Sequence, residues 1–207
     1  TILGNTAAGV DTPWERLFDW LTYFTIWSNV TVAVVLTVLI ARPALFTRAD
    51  RVGAIWRALR LDSVLMIVIT GLVYNLLLAE GGKTGADALS NSLLHVVVPL
   101  LTPIVWIIAG PRGLIRGSTI GLALVLPLVW AAFALVRGAA VGAYPYGFLD
   151  VSAHGLVSVL TFIAAIVVLA VCMALVMWAI DHGLRWTMQG RPVPSAVPAP
   201  SAQGESE

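Results

Sequence analysis

The fold is decided by residues 155–180, which read GLVSVLTFIAAIVVLAVCMALVMWAI and contain no charged side chain. Crossing about 30 Å of hydrocarbon takes roughly 20 helical residues at 1.5 Å each. This segment is long enough to cross a membrane and to tilt or protrude from it. Four more segments qualify: Trp20–Ala41, Leu61–Ala79, Leu89–Ala109 and Ser118–Val136. The sequence therefore predicts an all-α polytopic transmembrane helical bundle with five spans.

The composition agrees with a lipid environment. Of 207 residues, 59% are apolar and 11% are charged, and the mean hydropathy is +0.92. A soluble domain is about a quarter charged, so lipid must be the solvent for most of this chain. The net charge of +1 gives no reason to expect a nucleic-acid partner. The single cysteine, Cys172, lies within the last span, where it serves as a small apolar residue.

The chain divides into a bundle domain over residues 1–190 and a tail over residues 191–207. Four of the tail's residues are prolines, and alanine and serine make up much of the rest, which is typical of a disordered segment. The chain begins at Thr1 without a signal sequence, although the orientation derived below places this residue outside. We therefore expect a further span before Thr1 in the parent protein, giving six in all.

The basic residues of the loops predict the orientation, because cytoplasmic loops are enriched in lysine and arginine. One side of the membrane holds nine arginines: Arg42, Arg48, Arg51, Arg57, Arg60, Arg112, Arg116, Arg185 and Arg191. The other side holds three basic residues: Arg16, Lys83 and Arg137. This asymmetry predicts a multi-pass protein of the cell (inner) membrane with a cytoplasmic C-terminus and Thr1 outside.

Two patterns near the boundaries extend this map. Within Arg48–Arg60 the apolar residues fall at helical spacing among arginines, which predicts a separate amphipathic helix lying on the inner leaflet. The aromatic residues near the outer boundaries are typical of an interfacial belt. They are Trp14, Trp20, Tyr23, Tyr144 and Tyr146.

Polar residues cluster in one layer of the predicted bundle. The first span carries Thr22, Thr25, Ser28 and Asn29 at spacings of three or four in its outer third. By helix rise, Thr25, Asn75 and His95 lie at a common depth, roughly 8–9 Å below the outer boundary. Asp150 and His154 border this layer from above, whereas the inner half is nearly bare of such polar groups. Polar side chains in a span are costly, so such a layer predicts a functional site.

The residue types in this layer suit nucleophilic catalysis. Thr25 becomes a nucleophile if His95, kept neutral by burial, removes its proton. Asn75, and behind it Ser28 and Asn29, are candidate donors to an oxyanion. Asn91, one turn before His95, is placed to orient the imidazole ring, and Pro99 removes the helical hydrogen bond to the His95 carbonyl. The substrate expected is a lipid ester or amide that enters from the outer leaflet, with no metal or cofactor required.

Four blocks of sequence stand out: residues 23–29 (YFTIWSN), 70–75 (TGLVYN), 91–95 (NSLLH, with Pro99) and 144–150 (YPYGFLD). In order and spacing they resemble the androgen-induced-protein family, and most closely its prokaryotic membrane relatives. Eukaryotic members are six-span threonine hydrolases of fatty acid esters of hydroxy fatty acids. Their catalytic threonine and histidine match Thr25 and His95, the pair that the depth argument also selects. The resemblance thus implies a fatty-acyl ester substrate.

The sequence therefore predicts a membrane hydrolase with Thr25 and His95 as catalytic residues and with Asp150 and His154 in supporting positions. A purely structural role for these residues also remains open, since threonine often donates to the carbonyl four residues earlier and asparagine often joins helices by hydrogen bonds. Three other functions also remain open. They are a small-solute or proton transporter or channel, a haem or metal protein using His95 and His154, and a membrane protein without catalytic activity.

Overall fold

The structure is a computed structural model in which residues 13–79 and 82–189 are described, with side chains over residues 17–79 and 82–186. Within these ranges all regular structure is helical, and five helical segments are long and apolar enough to cross a membrane. The prediction of an all-α bundle with five spans is confirmed. Thr1, the side chains of Trp14 and Arg16, and the tail from Arg191 onward lie outside the described residues.

The five spans are joined by short helices and turns. The spans are Phe24–Ala41, Arg51–Leu78, Gly85–Ile108, Gly117–Val141 and Leu156–Trp186, here called the first to the fifth span. Shorter helices are Pro13–Trp20, Pro43–Thr47, Gly147–Leu149 and Val151–His154. We call the end of the bundle where the second span ends at Leu78 and the third begins at Gly85 the upper end, and the opposite end the lower end.

The second span is the central helix, and it is the most deeply buried of the five. In the lower half of the bundle its residues Leu61, Val64 and Leu65 pack against Trp106 of the third span and Ala174 of the fifth. Nearer the upper end, Trp130 and Leu149 form a second apolar cluster beside the start of the first span. The two clusters lie below and beside the polar layer.

The prediction of a separate interfacial helix over Arg48–Arg60 is wrong. One continuous helix runs from Arg51 to Val73, so this segment forms the first turns of the second span. The buried residues there are Gly53, Ala58 and Arg60, whereas the apolar Val52 and Ile55 are exposed. The helix continues because nothing between Arg51 and Leu61 breaks it, and because its small residues allow close packing.

Asp50 caps this helix, and its carboxylate carries a pH-dependent prediction. The carboxylate accepts from the Gly53 backbone N–H at 3.0 Å and from the Arg48 guanidinium. The Arg48 hydrogen bond, with the backbone bond second, holds the pKa of Asp50 at about 2 instead of 3.8. A pKa lowered by folding means that the charged carboxylate stabilises the folded chain above about pH 4, and that this contribution is lost as the pH falls towards 2.

Asp50→Asn keeps a capping oxygen but removes the charge, so we expect a lower Tm than wild type near neutral pH. The Tm difference should shrink as the pH falls through the acid range, because wild type then loses the same charge. Thermal unfolding of detergent-solubilised protein, followed by circular dichroism, measures both. A Tm difference that does not depend on pH would contradict this account of the cap.

The sequence predicted that the lower half of the bundle would be nearly bare of polar groups. This prediction is wrong. The buried polar residues of the lower half are Arg60, Asp62, Ser63, Thr102, Thr119 and Asp181. Arg60 donates to the carbonyls of Ala109 and Pro111, and Asp181 accepts from the backbone N–H groups of Leu114 and Ile115. These two side chains secure the loop between the third and fourth spans. Asp62 differs, because its carboxylate has no hydrogen-bond partner among the described residues.

Candidate active site

Thr25 and His95 meet between the first and third spans near the upper end. The Thr25 Oγ1 lies 3.3 Å from the His95 Nε2. Both side chains are buried, with 7% and 3% of their surface exposed. Thr25 does not use its hydroxyl for the common bond to the carbonyl four residues earlier, whereas Thr22 and Thr31 do. Its hydroxyl is thus directed at an imidazole, the arrangement of an activated nucleophile.

The partner of the other ring nitrogen of His95 fixes the tautomer of the ring, and so whether Nε2 can accept a hydrogen bond from Thr25. Its Nδ1 lies 3.1 Å from the backbone carbonyl of Asn91. A carbonyl can only accept, so Nδ1 carries the hydrogen, and the Nε2 of the neutral ring presents a lone pair to Thr25. Asn91 therefore orients the ring through its main chain. Its side-chain oxygen accepts instead from Lys83 Nζ at 2.9 Å.

The imidazole is also held by a stacked tyrosine. The Tyr74 ring lies parallel to the His95 ring, with 3.7 Å between their centroids and 22° between their planes. The Tyr74 hydroxyl accepts from Lys83 Nζ at 2.6 Å. Lys83 thus joins the second and third spans at the upper end and leaves the His95 ring little freedom to rotate.

His95 and Tyr74 both lie in π-helical turns, Leu93–Val97 and Tyr74–Leu78. Such turns are frequent at functional sites. Pro99 has no N–H to offer the His95 carbonyl, and Asn75 Nδ2 donates to that carbonyl instead, at 2.9 Å. A side chain at Gly71 would meet Pro99 at 2.7 Å, so glycine lets the two spans approach closely enough for this bond.

The three residues predicted as oxyanion donors are engaged elsewhere. Asn75 also donates to the Gly71 carbonyl at 2.8 Å, which occupies its amide fully. Ser28 and Asn29 both donate to the carbonyl of Thr25, at 3.0 and 2.8 Å. Ser28 in turn accepts from Thr70 on the second span. These groups position Thr25 and His95, and the geometry does not favour them as donors to a substrate.

Tyr146, expected in the interfacial belt, lies at the site instead. Its phenol lies near the Thr25 side chain, and burial, the largest influence, raises the pKa of this phenol above its usual value. The ring packs against Tyr23, Trp130 and Phe148. A protonated phenol beside the Thr25 hydroxyl is a hydrogen-bond donor of the kind that can stabilise an oxyanion.

Asp150 and His154 are not brought to the pair. The Asp150 carboxylate caps the short helix Val151–His154 through the N–H groups of Ser152 and Ala153. Its hydrogen bond with the Ser152 hydroxyl is the main reason that the pKa of Asp150 is lowered. His154 is exposed, and neither residue lines the cavity that contains Thr25 and His95. Their role is local to this turn.

A cavity of about 400 Å³ opens beside Thr25 and His95. Its size lies within the usual range of small-molecule sites, about 300–1,000 Å³. Thr25, His95, Tyr74, Tyr146 and Lys83 contribute to its polar wall. Most of the remaining lining is apolar and comes from the second, fourth and fifth spans. Thr25 and His95 thus face a mostly apolar space of ligand size.

Sequence reasoning missed Tyr146, Tyr74 and Lys83 as parts of this site. Tyr74 and Tyr146 lie within two of the sequence blocks quoted above, and Lys83 is the chain's single lysine. Those features could have indicated that these residues belong to the site. The depth estimated from helix rise, however, cannot place a loop residue such as Tyr146. Comparison of the chain with protein-family models, with curated proteins and with solved structures finds no match.

Proposed function

We propose that this chain is an integral membrane hydrolase that cleaves a fatty-acyl ester, with Thr25 as nucleophile and His95 as general base. The observation that carries the proposal is the contact of the Thr25 hydroxyl with a buried imidazole whose other nitrogen donates to a carbonyl. A nucleophile bonded to a base, which is in turn bonded to an orienting group, is the recurring arrangement of acyl-transfer enzymes. The resemblance in the four blocks supports the same two residues.

The arrangement suggests a two-step reaction. His95 Nε2 takes the Thr25 proton while Oγ1 attacks the acyl carbonyl carbon, and Tyr146 donates a hydrogen bond to the resulting oxyanion. The protonated imidazole then gives its proton to the departing alcohol, which leaves an acyl-threonine. In the second step His95 removes a proton from water, which attacks the same carbon. Collapse of this intermediate returns the proton to Thr25 and releases the fatty acid.

The excess of arginine at the lower end favours an orientation with that end in the cytoplasm and the site near the outer surface. In this proposal the substrate is a membrane lipid or another fatty-acyl ester that enters from the outer leaflet. Leu128 of the fourth span supports lateral entry, because it lines the cavity and is also 45% exposed on the outside of the bundle.

Labelling with a fluorophosphonate probe tests this function. Such probes react with activated hydroxyl nucleophiles, so wild type should be labelled on the peptide that contains Thr25. Thr25→Ala should remain unlabelled. Thr31→Ala is the matched control, because Thr31 lies on the same span but bonds the Trp27 carbonyl, and it should label like wild type. Equal labelling of wild type and Thr25→Ala would reject the proposal.

Tyr146→Phe tests the oxyanion donor. The substitution removes the hydroxyl group and keeps the ring that packs against Trp130. We therefore expect kcat to fall about a hundredfold with little change in KM. Tyr144→Phe is the control, since Tyr144 lies on the same loop but does not line the cavity. Steady-state hydrolysis of a chromogenic fatty-acyl ester compares them. Equal kcat values for the two variants would remove Tyr146 from the mechanism.

One observation favours a second candidate, proton or small-solute transport. Asp62 is buried in the second span with 1% of its surface exposed and has no hydrogen-bond partner within the described ranges. Ionisable residues in such positions are costly and often mark ion pathways. Dissipation of a pH gradient in liposomes by wild type, but not by Asp62→Asn, would support this function.

A further inference from the structure

The polar side chains that line the cavity beside Thr25 are concentrated at one end, and the hydroxyl of Thr70, one turn below Tyr74, is engaged in a bond to Ser28. Thr25, His95 and Tyr146 lie at its upper end, together with Lys83. Below them the walls are the apolar side chains of the second, fourth and fifth spans, such as Ile69, Pro127 and Ile166. A ligand that fills this space must place a polar group at the top and an apolar chain below.

Helix rise gives the depth of the cavity. Along the second span its lining extends from Tyr74, whose ring stacks on His95, down to Leu65. The nine helical steps between them correspond to about 13–14 Å at 1.5 Å each. Along the fifth span the lining reaches Ala170. The cavity is therefore a slot that runs along the helix axes from the level of the catalytic pair towards the centre of the bundle.

The slot is closed at its lower end. Leu65, Met66 and Ala170 form its floor, with 2%, 1% and 5% of their surfaces exposed. Directly below, Leu61, Ala174 and other residues form the tightly packed lower core. A chain bound in the slot cannot extend past this core unless the helices separate.

We propose that this slot binds the substrate's acyl chain in extended form and that Leu65, Met66 and Ala170 limit its length. An extended chain advances about 1.2 Å per backbone atom, so about a dozen carbons fit between the level of Thr25 and the floor. The substrates are thus medium-chain acyl esters. This inference rests on the proposed function for the identity of the group at the top, but the length limit itself is a property of the slot.

Ala170→Leu tests the limit by adding bulk to the floor. Hydrolysis of octanoate, laurate and palmitate esters is measured for each variant. We expect wild type to prefer laurate over palmitate, and Ala170→Leu to lose activity on laurate while it keeps its activity on octanoate. Each methylene that no longer fits costs roughly a fourfold loss, so two lost positions lower kcat/KM for laurate about fifteenfold. Ala165→Leu is the control, because Ala165 is exposed on the same helix and does not line the slot.

Met66→Ala tests the limit in the opposite direction, in case the added bulk of Ala170→Leu disturbs folding. Removing the Met66 side chain deepens the slot, so this variant should gain activity on palmitate relative to laurate. Identical chain-length profiles for wild type, Met66→Ala, Ala170→Leu and Ala165→Leu would overturn the proposal.

A binding measurement separates this inference from the proposed function. A fluorescent fatty acid bound to Thr25→Ala, alone and combined with each floor variant, is displaced by octanoate, laurate or palmitate. If no ester is hydrolysed but laurate displacement is lost only with Ala170→Leu, the slot stands and the hydrolase proposal fails. If esters are hydrolysed but displacement does not depend on the floor residues, the slot proposal fails and the hydrolase stands. Absence of any fatty-acid binding also overturns the slot.

Discussion

Replacing Thr25 by alanine is expected to lower kcat for fatty-acyl ester hydrolysis by at least about a thousandfold, as for the loss of other hydroxyl nucleophiles. The hydroxyl that contacts His95 is the atom that would form the acyl-enzyme. Its loss leaves only the cavity and the Tyr146 phenol, which bind the ester but cannot cleave it. The measurement is steady-state hydrolysis by purified protein in detergent or liposomes.

Two further variants show whether the effect belongs to this hydroxyl. Thr25→Ser keeps a nucleophilic oxygen and should retain activity well above that of Thr25→Ala. Thr31→Ala removes a threonine six residues further along the same span and should behave as wild type. Residual activity of Thr25→Ala equal to that of Thr31→Ala would mean that Thr25 is not the nucleophile.

Replacing His95 by glutamine should have an effect of similar size, again about a thousandfold or more on kcat. Glutamine occupies part of the imidazole's space but cannot accept and return the Thr25 proton. His182→Gln is a closely matched control. The His182 Nδ1 also bonds the carbonyl four residues earlier, at 2.9 Å, and its ring also contacts an aromatic side chain, yet it is exposed at the lower end.

The losses of activity caused by Thr25→Ala and His95→Gln should not be additive in free energy. If Thr25 and His95 act as one unit, the double variant Thr25→Ala/His95→Gln will be about as inactive as either single variant. Losses that multiply would indicate that the two side chains act independently. The close contact between Oγ1 and Nε2 would then be structural.

The number and type of the helices could be predicted from the sequence because lipid imposes a simple rule. Apolar runs of about 20 residues, such as residues 155–180, have one stable conformation in a bilayer. The common depth of Thr25 and His95 followed from the same rule, since rise per residue converts position into depth. The structure places their side chains in contact, and their catalytic role stays a prediction.

Rotation about each helix axis and loop conformation could not be predicted in the same way. Depth placed Asn75 in the polar layer, but it could not show that the Asn75 amide replaces the N–H that Pro99 lacks. Tyr146 lies between spans, where hydropathy carries no positional information. The sequence predicted a lower half with few polar groups because Asp62 and Asp181 lie close to the ends of predicted spans, where charged residues are ordinary. Their burial depends on how neighbouring helices pack.

Detection of the acyl-enzyme tests the central claim most directly. Wild type is mixed with a laurate ester, quenched rapidly in acid and digested, and the peptide that contains Thr25 is analysed by mass spectrometry. The account predicts a peptide heavier by one lauroyl group attached to Thr25, formed at a rate consistent with turnover and absent from Thr25→Ala. Ester hydrolysis by wild type with no acyl group on Thr25, or with the acyl group on another residue, would contradict it.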